Sequence, residues 1–203
     1  MQFKNVIRSY GARVAVGAAA VGLLTAGIAA PAVGQESTGR SVVVAAPAAK
    51  DARQIGTGPL ATVGGVAVSA TADSATREIA QAAPAAVTAT ANLCGTGYYL
   101  IHAEQLPTPE QRLGTVFMYR KNVAPWNACA MFDNNTASAK WMKLKICPNT
   151  VGAACDVDEG LFSQYAGPVR VTDGWCAQTT ALMKTSSGAS TYLVNRAIRP
   201  SCN

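Results

Sequence analysis

The sequence predicts an all-β module: a small, disulfide-stabilised antiparallel sandwich or barrel, preceded by a signal peptide and a disordered segment. Three observations predict it. All six cysteines fall in residues 92–203, and so do all three tryptophans. The same stretch breaks into short β-branched or alternating runs separated by turn formers. Composition then divides the 203 residues into three zones.

Residues 1–34 carry Lys4, Arg8 and Arg13 and no acid, followed by an uncharged run from Val14 to Ala30 and a small-residue exit around Ala32 and Gly34. These are the parts of a secretory signal peptide. Removal leaves a secreted chain with no membrane contact. A retained anchor is the alternative, but the run is near the lower length limit for a span.

Residues 35–91 contain neither cysteine nor aromatic residues and are rich in Ala, Val, Thr, Ser and Gly. Such a segment buries too little apolar surface to offset its backbone entropy. It reads as a flexible low-complexity linker or pro-segment. Weak strands are expected at Val42–Val44 and Val66–Val68, and a short helix at Ser74–Ala83 before Pro84. The rival reading is an extra strand hairpin on the domain, from its valine content.

In residues 92–203, alternation around Trp141 puts Met142, Leu144 and Ile146 on one face and Trp141, Lys143 and Lys145 on the other, the period of a half-buried strand. Gly114–Arg120 is β-branched and aromatic, a strand with two mostly apolar faces. Tyr98–His102, Ala128–Phe132, Val169–Thr172, Trp175–Thr180 and Thr191–Ala197 are further strands. Thr108-Pro109-Glu110-Gln111 suits one capped helical turn. Asp173-Gly174 suggests a tight hairpin between the strands flanking it.

An even number of cysteines in a secreted module reads as a disulfide framework. Cys147 and Cys155 enclose Pro148-Asn149-Thr150-Val151-Gly152, rich in turn formers, so a local bridge is expected there. For Cys94, Cys129, Cys176 and Cys202 the connectivity stays open. A nested arrangement, Cys94 with Cys202 and Cys129 with Cys176, would close the longest loop.

The chemistry-bearing residues are few. His102 is the only histidine. It is expected at a strand end, with nothing beside it that resembles a nucleophile motif, so no catalytic residue is assigned. No cofactor or metal is expected, since there is no Cys-x-x-Cys pair. Asp156, Asp158 and Glu159 read as a solvated acidic loop. A hydrolase using paired carboxylates stays open, because their spacing is spatial. The module has ten bases and seven acids, and Lys140, Lys143 and Lys145 make no patch large enough for nucleic acid. Tyr98, Tyr99, Trp126, Tyr165 and Trp175 form a candidate binding surface for sugar rings or a protein. Trp126 is the most exposed of them by expectation, in the loop Val123-Ala124-Pro125-Trp126-Asn127.

Cys94-Gly95-Thr96-Gly97-Tyr98, Gly114-Thr115-Val116-Phe117-Met118-Tyr119, Asn127-Ala128-Cys129-Ala130, Tyr165-Ala166-Gly167-Pro168-Val169, Trp175-Cys176 and Cys202 follow in one order. That order resembles the spore-associated protein A family of filamentous actinobacteria, over residues 94–203. The resemblance implies a small secreted protein of the cell wall or spore surface, with no active site attached. The chain departs from the pattern in its long 35–91 segment. It also departs in Cys147 and Cys155, a pair beyond the family's usual four, which fits a local bond within one insertion. Together these expectations describe a secreted, non-enzymatic surface-associated protein, with an extracellular binding module or inhibitor as the alternative.

Overall fold

A computed structural model describes residues 59–200. The expected signal peptide (1–34), the Val42–Val44 strand and Cys202 lie outside them. The described residues form ten strands and two helices. The strands are β1 (Leu60–Val63), β2 (Val66–Ser69), β3 (Tyr98–Leu106), β4 (Gly114–Lys121) and β5 (Ala128–Asn134). They continue with β6 (Lys140–Cys147), β7 (Asp156–Phe162), β8 (Tyr165–Val171), β9 (Gln178–Lys184) and β10 (Val194–Ile198). The helices α1 (Ser74–Ala82) and α2 (Pro84–Cys94) lie between β2 and β3.

Two sheets result, a six-stranded one in the order β1-β2-β3-β4-β5-β8 and a four-stranded one in the order β10-β9-β6-β7. Neighbours are antiparallel except β2 and β3, which pair in parallel at Val68 and Leu100. A parallel pair needs a crossover to bring the chain back. Here α1 and α2 supply it.

Burial follows strand periodicity. The even-numbered residues Val116, Met118, Ala130 and Phe132 meet Met142, Leu144, Ile146, Ala181 and Met183 between the sheets. The odd-numbered Phe117, Tyr119, Cys129 and Met131 face the other way, against Ile79, Ala80 and Val87 of the helices. Strand β4 is therefore covered on both faces, which explains its unbroken apolar run. In β6, Met142, Leu144 and Ile146 are buried and Lys143 and Lys145 lie on the other face, as the alternation predicts.

The segment expected to be flexible is folded from residue 59 to 91. It supplies the hairpin β1–β2, which is the rival reading, and both helices. Its Ala, Val and Thr side chains make no core of their own. They lie against Phe117, Tyr119 and Met131, so the bulk comes from the sheet. Asp73 caps α1, its Oδ1 accepting from Thr76 N at 2.7 Å. Pro84 forces Ala83 out of helical geometry and opens α2 at its first position. Gly95 ends α2 at φ 111°, where a side chain would be strained. The Arg170 guanidinium donates to Leu93 O at 2.6 Å and Cys94 O at 3.2 Å, placing a cation at the negative helix end.

The expected local disulfide is present, Cys147–Cys155. The nested arrangement is not: Cys94 bonds Cys129, with Cα atoms 5.9 Å apart. The nesting took Cys94 to be one end of the module. Instead α2 delivers Cys94 onto the sheet face to which Cys129 points. Cys176 is disulfide-bonded as well.

Two further expectations are corrected. Asp173-Gly174 joins no hairpin, because β8 belongs to one sheet and β9 to the other. Asp173 N–H donates to Pro125 O at 2.9 Å and Gly174 N–H to Trp126 O at 3.0 Å. These bonds hold the chain against the loop before β5. The acidic run at 156–159 is not a loop but strand β7. Asp158 Oδ2 accepts from Gly167 N–H and Asp156 Oδ2 from Arg170 N–H, both at 2.7 Å. The two carboxylates thus close the outer edge of β8, the job an edge strand otherwise leaves to charges or bulges.

Candidate functional site

Four of the five predicted surface aromatics lie at one end of the six-stranded sheet, Tyr99, Trp126 and Trp175 around Arg120 and Tyr98 on the opposite face. Register brings them there: Tyr98 pairs with Lys121, Tyr99 with Arg120, Arg120 with Ala128, and Ala128 with Val171. The loop after β4 carries Trp126 to this end, and the loop after β8 carries Trp175. Their rings meet edge to face, centroids 6.1 Å apart at 65°. Trp126 is half-buried by this contact, not open as expected. Tyr165 is elsewhere. It pairs with Asp133 at the opposite end of β8.

The centre of the cluster is a residue that sequence reasoning left without a role. Arg120 is only 5% exposed. Its guanidinium lies 4.0 Å from the Trp175 ring centroid and 5.9 Å from that of Tyr99, and its Nε donates to Tyr99 Oη at 3.1 Å. Ring quadrupoles stabilise a desolvated cation in this way. The available signal was Arg120 ending an apolar strand that an adjoining Tyr-Tyr pair would flank. Lys121 repeats the arrangement on the other face, 5.2 Å from the Tyr98 ring. Burial pushes the Tyr98 hydroxyl pKa up, against the lowering pull of the Arg170 charge.

The two loops are held in strained backbone. Trp126, Asp173 and Cys176 have φ of 44°, 53° and 60°, and among the described residues only Arg112 joins them as a non-glycine at positive φ. Gly174 is required by close approach, since a Cβ there would fall 2.3 Å from Ala128 Cβ. Asn122 Oδ1 and Asn127 Oδ1, flanking the tryptophan loop, are buried without a hydrogen-bond partner. Strain and unsatisfied polar atoms gathered at one place are the pattern of a site shaped for something other than stability.

His102 is not at a strand end, because β3 runs on to Leu106. Its Nδ1 is 3.4 Å from Asp73 Oδ2 and its Nε2 3.6 Å from Glu104 Oε2. Glu104 is itself held by a forked contact with Arg196, at 2.8 and 3.2 Å. These residues line a groove of about 610 Å³ beside α1. Burial raises the Asp73 pKa, but the hydrogen bonds from Thr76 and the neighbouring His102 more than reverse it, so the carboxyl sits below its ordinary value. Each acid is engaged in holding an element. Asp73 caps α1, and Glu104 joins β3 to β10.

Elsewhere Lys143 of the basic cluster pairs with Glu159 at 2.7 Å. The loop between Cys147 and Cys155 projects Val151 fully into solvent. Among the described residues no cluster of metal-ligating side chains is present, and no helix is long and apolar enough to cross a membrane. Comparison with family models, curated proteins and solved structures finds no match.

Proposed function

We propose that this chain is a secreted, non-enzymatic protein of the cell wall or spore surface, and that it attaches through the tryptophan end of its six-stranded sheet. One observation carries the reading: Trp126 and Trp175 are held by strained, cross-bonded loops around a buried arginine. Rigid aromatics on preorganised loops present contact area at low entropic cost, which suits stacking against sugar rings or a flat protein surface. The disulfides support an oxidising destination. The order of motifs, which resembles that of the spore-associated family, supports the surface association.

The test is fractionation of a producing culture into medium, wall and spores, with the Trp126→Ala, Trp175→Ala double variant alongside. The parent should be retained on wall or spores and the variant released to the medium. Equal partition of the two would reject the tryptophan end, and retention of the parent inside cells would reject secretion.

A second reading has its own observation. The Cys147–Cys155 loop, with Val151 at full exposure, has the form of an inhibitor's binding loop. Inhibition of a secreted protease panel that Val151→Asp abolishes, while surface retention is unchanged, would favour it.

A further inference from the structure

We propose that the outer face of the four-stranded sheet is a docking surface for an acidic polysaccharide, a chain of sugar rings that carry carboxylates. It lies on the other sheet from the tryptophan end and does not depend on that reading.

Register assembles the face from strands distant in sequence. Trp141 of β6 lies between Leu161 of β7 and Lys184 of β9. In the next row Lys143 lies between Glu159 and Leu182, and in the third Lys145 lies between Val157 and Thr180. Arg199, just past β10, extends the file by donating to Gln178 Oε1 of β9 at 3.0 Å. Lys184 Nζ is held between two rings, 5.0 Å from the Trp141 centroid and 4.6 Å from that of Tyr192. From the spacing of strands and of residues along them, the platform measures about 14 Å by about 20 Å. The helices pack on the six-stranded sheet, and among the described residues no helix packs here.

A face turned merely to water has no need of this composition. Residues 59–200 carry eleven bases and nine acids. The face holds four of the bases, Lys143, Lys145, Lys184 and Arg199, and one acid, Glu159. Seven bases and eight acids remain for the rest, so the positive excess of these residues is gathered on this face. Glu159 pairs with Lys143 at 2.7 Å, and no carboxylate of the described residues pairs with the other three bases. Apolar surface is gathered here too. Val157, Leu161 and Tyr192 are three of the seven large apolar side chains most open to water among the described residues. Exposed apolar groups clustered in this way mark an interaction surface.

Cations set among exposed apolar and aromatic side chains fit a ligand that brings negative charge and C–H surface together. An acidic sugar unit does so. Its carboxylate meets an ammonium, and the face of its ring meets Trp141, Leu161 or Tyr192. Two rings already position Lys184, so little side-chain freedom is lost on contact. A neutral glycan would leave the bases unused. Duplex nucleic acid presents a charge about every 1.7 Å of its axis, denser than four bases on such a platform can match.

The experiment measures binding of the full chain to polygalacturonate by isothermal titration calorimetry at low ionic strength, with dextran as the neutral comparison. Polygalacturonate should bind and dextran should not, and sodium chloride should weaken the binding by screening exposed charges. Lys145→Glu and Lys184→Glu should each weaken it about tenfold, as an attractive contact becomes a repulsive one. Arg112→Glu makes the same charge change on the exposed loop between β3 and β4, and should weaken it less than about twofold. Trp141→Ala should weaken it about fivefold without altering the salt dependence. Absence of binding overturns the proposal, as does equal binding of dextran or an equal loss from Arg112→Glu and Lys145→Glu. So does tighter binding, through the same lysines, of an oligodeoxythymidylate or of phosphatidylglycerol vesicles.

Discussion

Asp158 reaches from β7 of one sheet to accept the Gly167 N–H of β8 in the other, at 2.7 Å. The bond crosses a seam that has no strand ladder. With its companion from Asp156 to Arg170 N–H, it satisfies an edge that would otherwise invite a second chain.

Asp158→Ala should therefore act twice. It should cost about 1.5–3 kcal/mol, the range for hydrogen bonds to charged groups. It should also promote self-association through the exposed β8 edge. Urea unfolding reads the first, and sedimentation at rising concentration the second. A variant equally stable and equally monomeric would show the seam to be held by side-chain packing alone.

The disulfides should rank by loop length. The chain-entropy model gives about 3.8 kcal/mol for Cys94–Cys129 and about 2.5 for Cys147–Cys155, from separations of 35 and 8 residues. The double Cys→Ala variants at each pair, compared by denaturant midpoint, should fall in that order. Non-reducing peptide mapping should link Cys176 to Cys202, the only pairing the other two bonds leave.

Asp133 fixes a pH dependence of stability. Its folded pKa of about 6 lies above the unfolded value. The folded state thus holds its proton more tightly. Stability is greatest below the unfolded pKa near 4 and declines as pH rises through about 6. Asp133→Asn should remove this decline, leaving the variant more stable than its parent at pH 8 by up to about 3 kcal/mol. Near pH 3.5 the two should converge. Thermal melts at both pH values decide it.

Asp73 works in the opposite sense. Its folded pKa is depressed, so its contribution is present above the unfolded pKa and is lost as pH falls through the folded one. Asp73→Ala should cost about 1 kcal/mol at pH 7, as loss of a helix cap does. The cost should shrink below pH 4. A pH-independent difference would mean that charge plays no part in the cap.

Gly174→Ala tests the tryptophan end. The added methyl meets Ala128 at the contact where the two loops are joined. A cost of about 1–3 kcal/mol is expected for such overpacking. Tryptophan near-ultraviolet dichroism should change with it, because Trp126 and Trp175 sit on either side of the contact.

What the sequence revealed depended on where each residue's partners lie. Met142, Leu144 and Ile146 alternate with lysines because one face of β6 meets core and the other water, and that contrast is visible locally. Strand β7 was hidden because Asp156 and Asp158, which read as solvated, have partners on β8 of the other sheet. The helical layer was legible only in part, α1 as a short helix but not α2 nor the docking of both on the sheet, for a related reason. Its small residues complete a core whose bulky half, Phe117, Tyr119 and Met131, is encoded later in the chain. Tyr98, Tyr99, Trp126 and Trp175 were legible as a group by residue type. Arg120 was not, because its importance comes from cross-strand register. Tyr165 looked equivalent to the others, and only the pairing of β8 with β5 places it at the opposite end.

The bond between Cys94 and Cys129 also sets a schedule. The chain is made from its N-terminus, so the residues of the two helices emerge before the strands they will cover. Their partner thiol arrives 35 residues later. Until β5 has been delivered, Cys94 lacks this partner, and the apolar undersides of α1 and α2 have only β3 and β4 to rest on. A chain interrupted before Ala128 thus lacks the lock and the last strand, with Cys129 and Met131, of the surface it locks to. Oxidation at Cys94 is in effect a receipt that the sheet has been completed as far as β5.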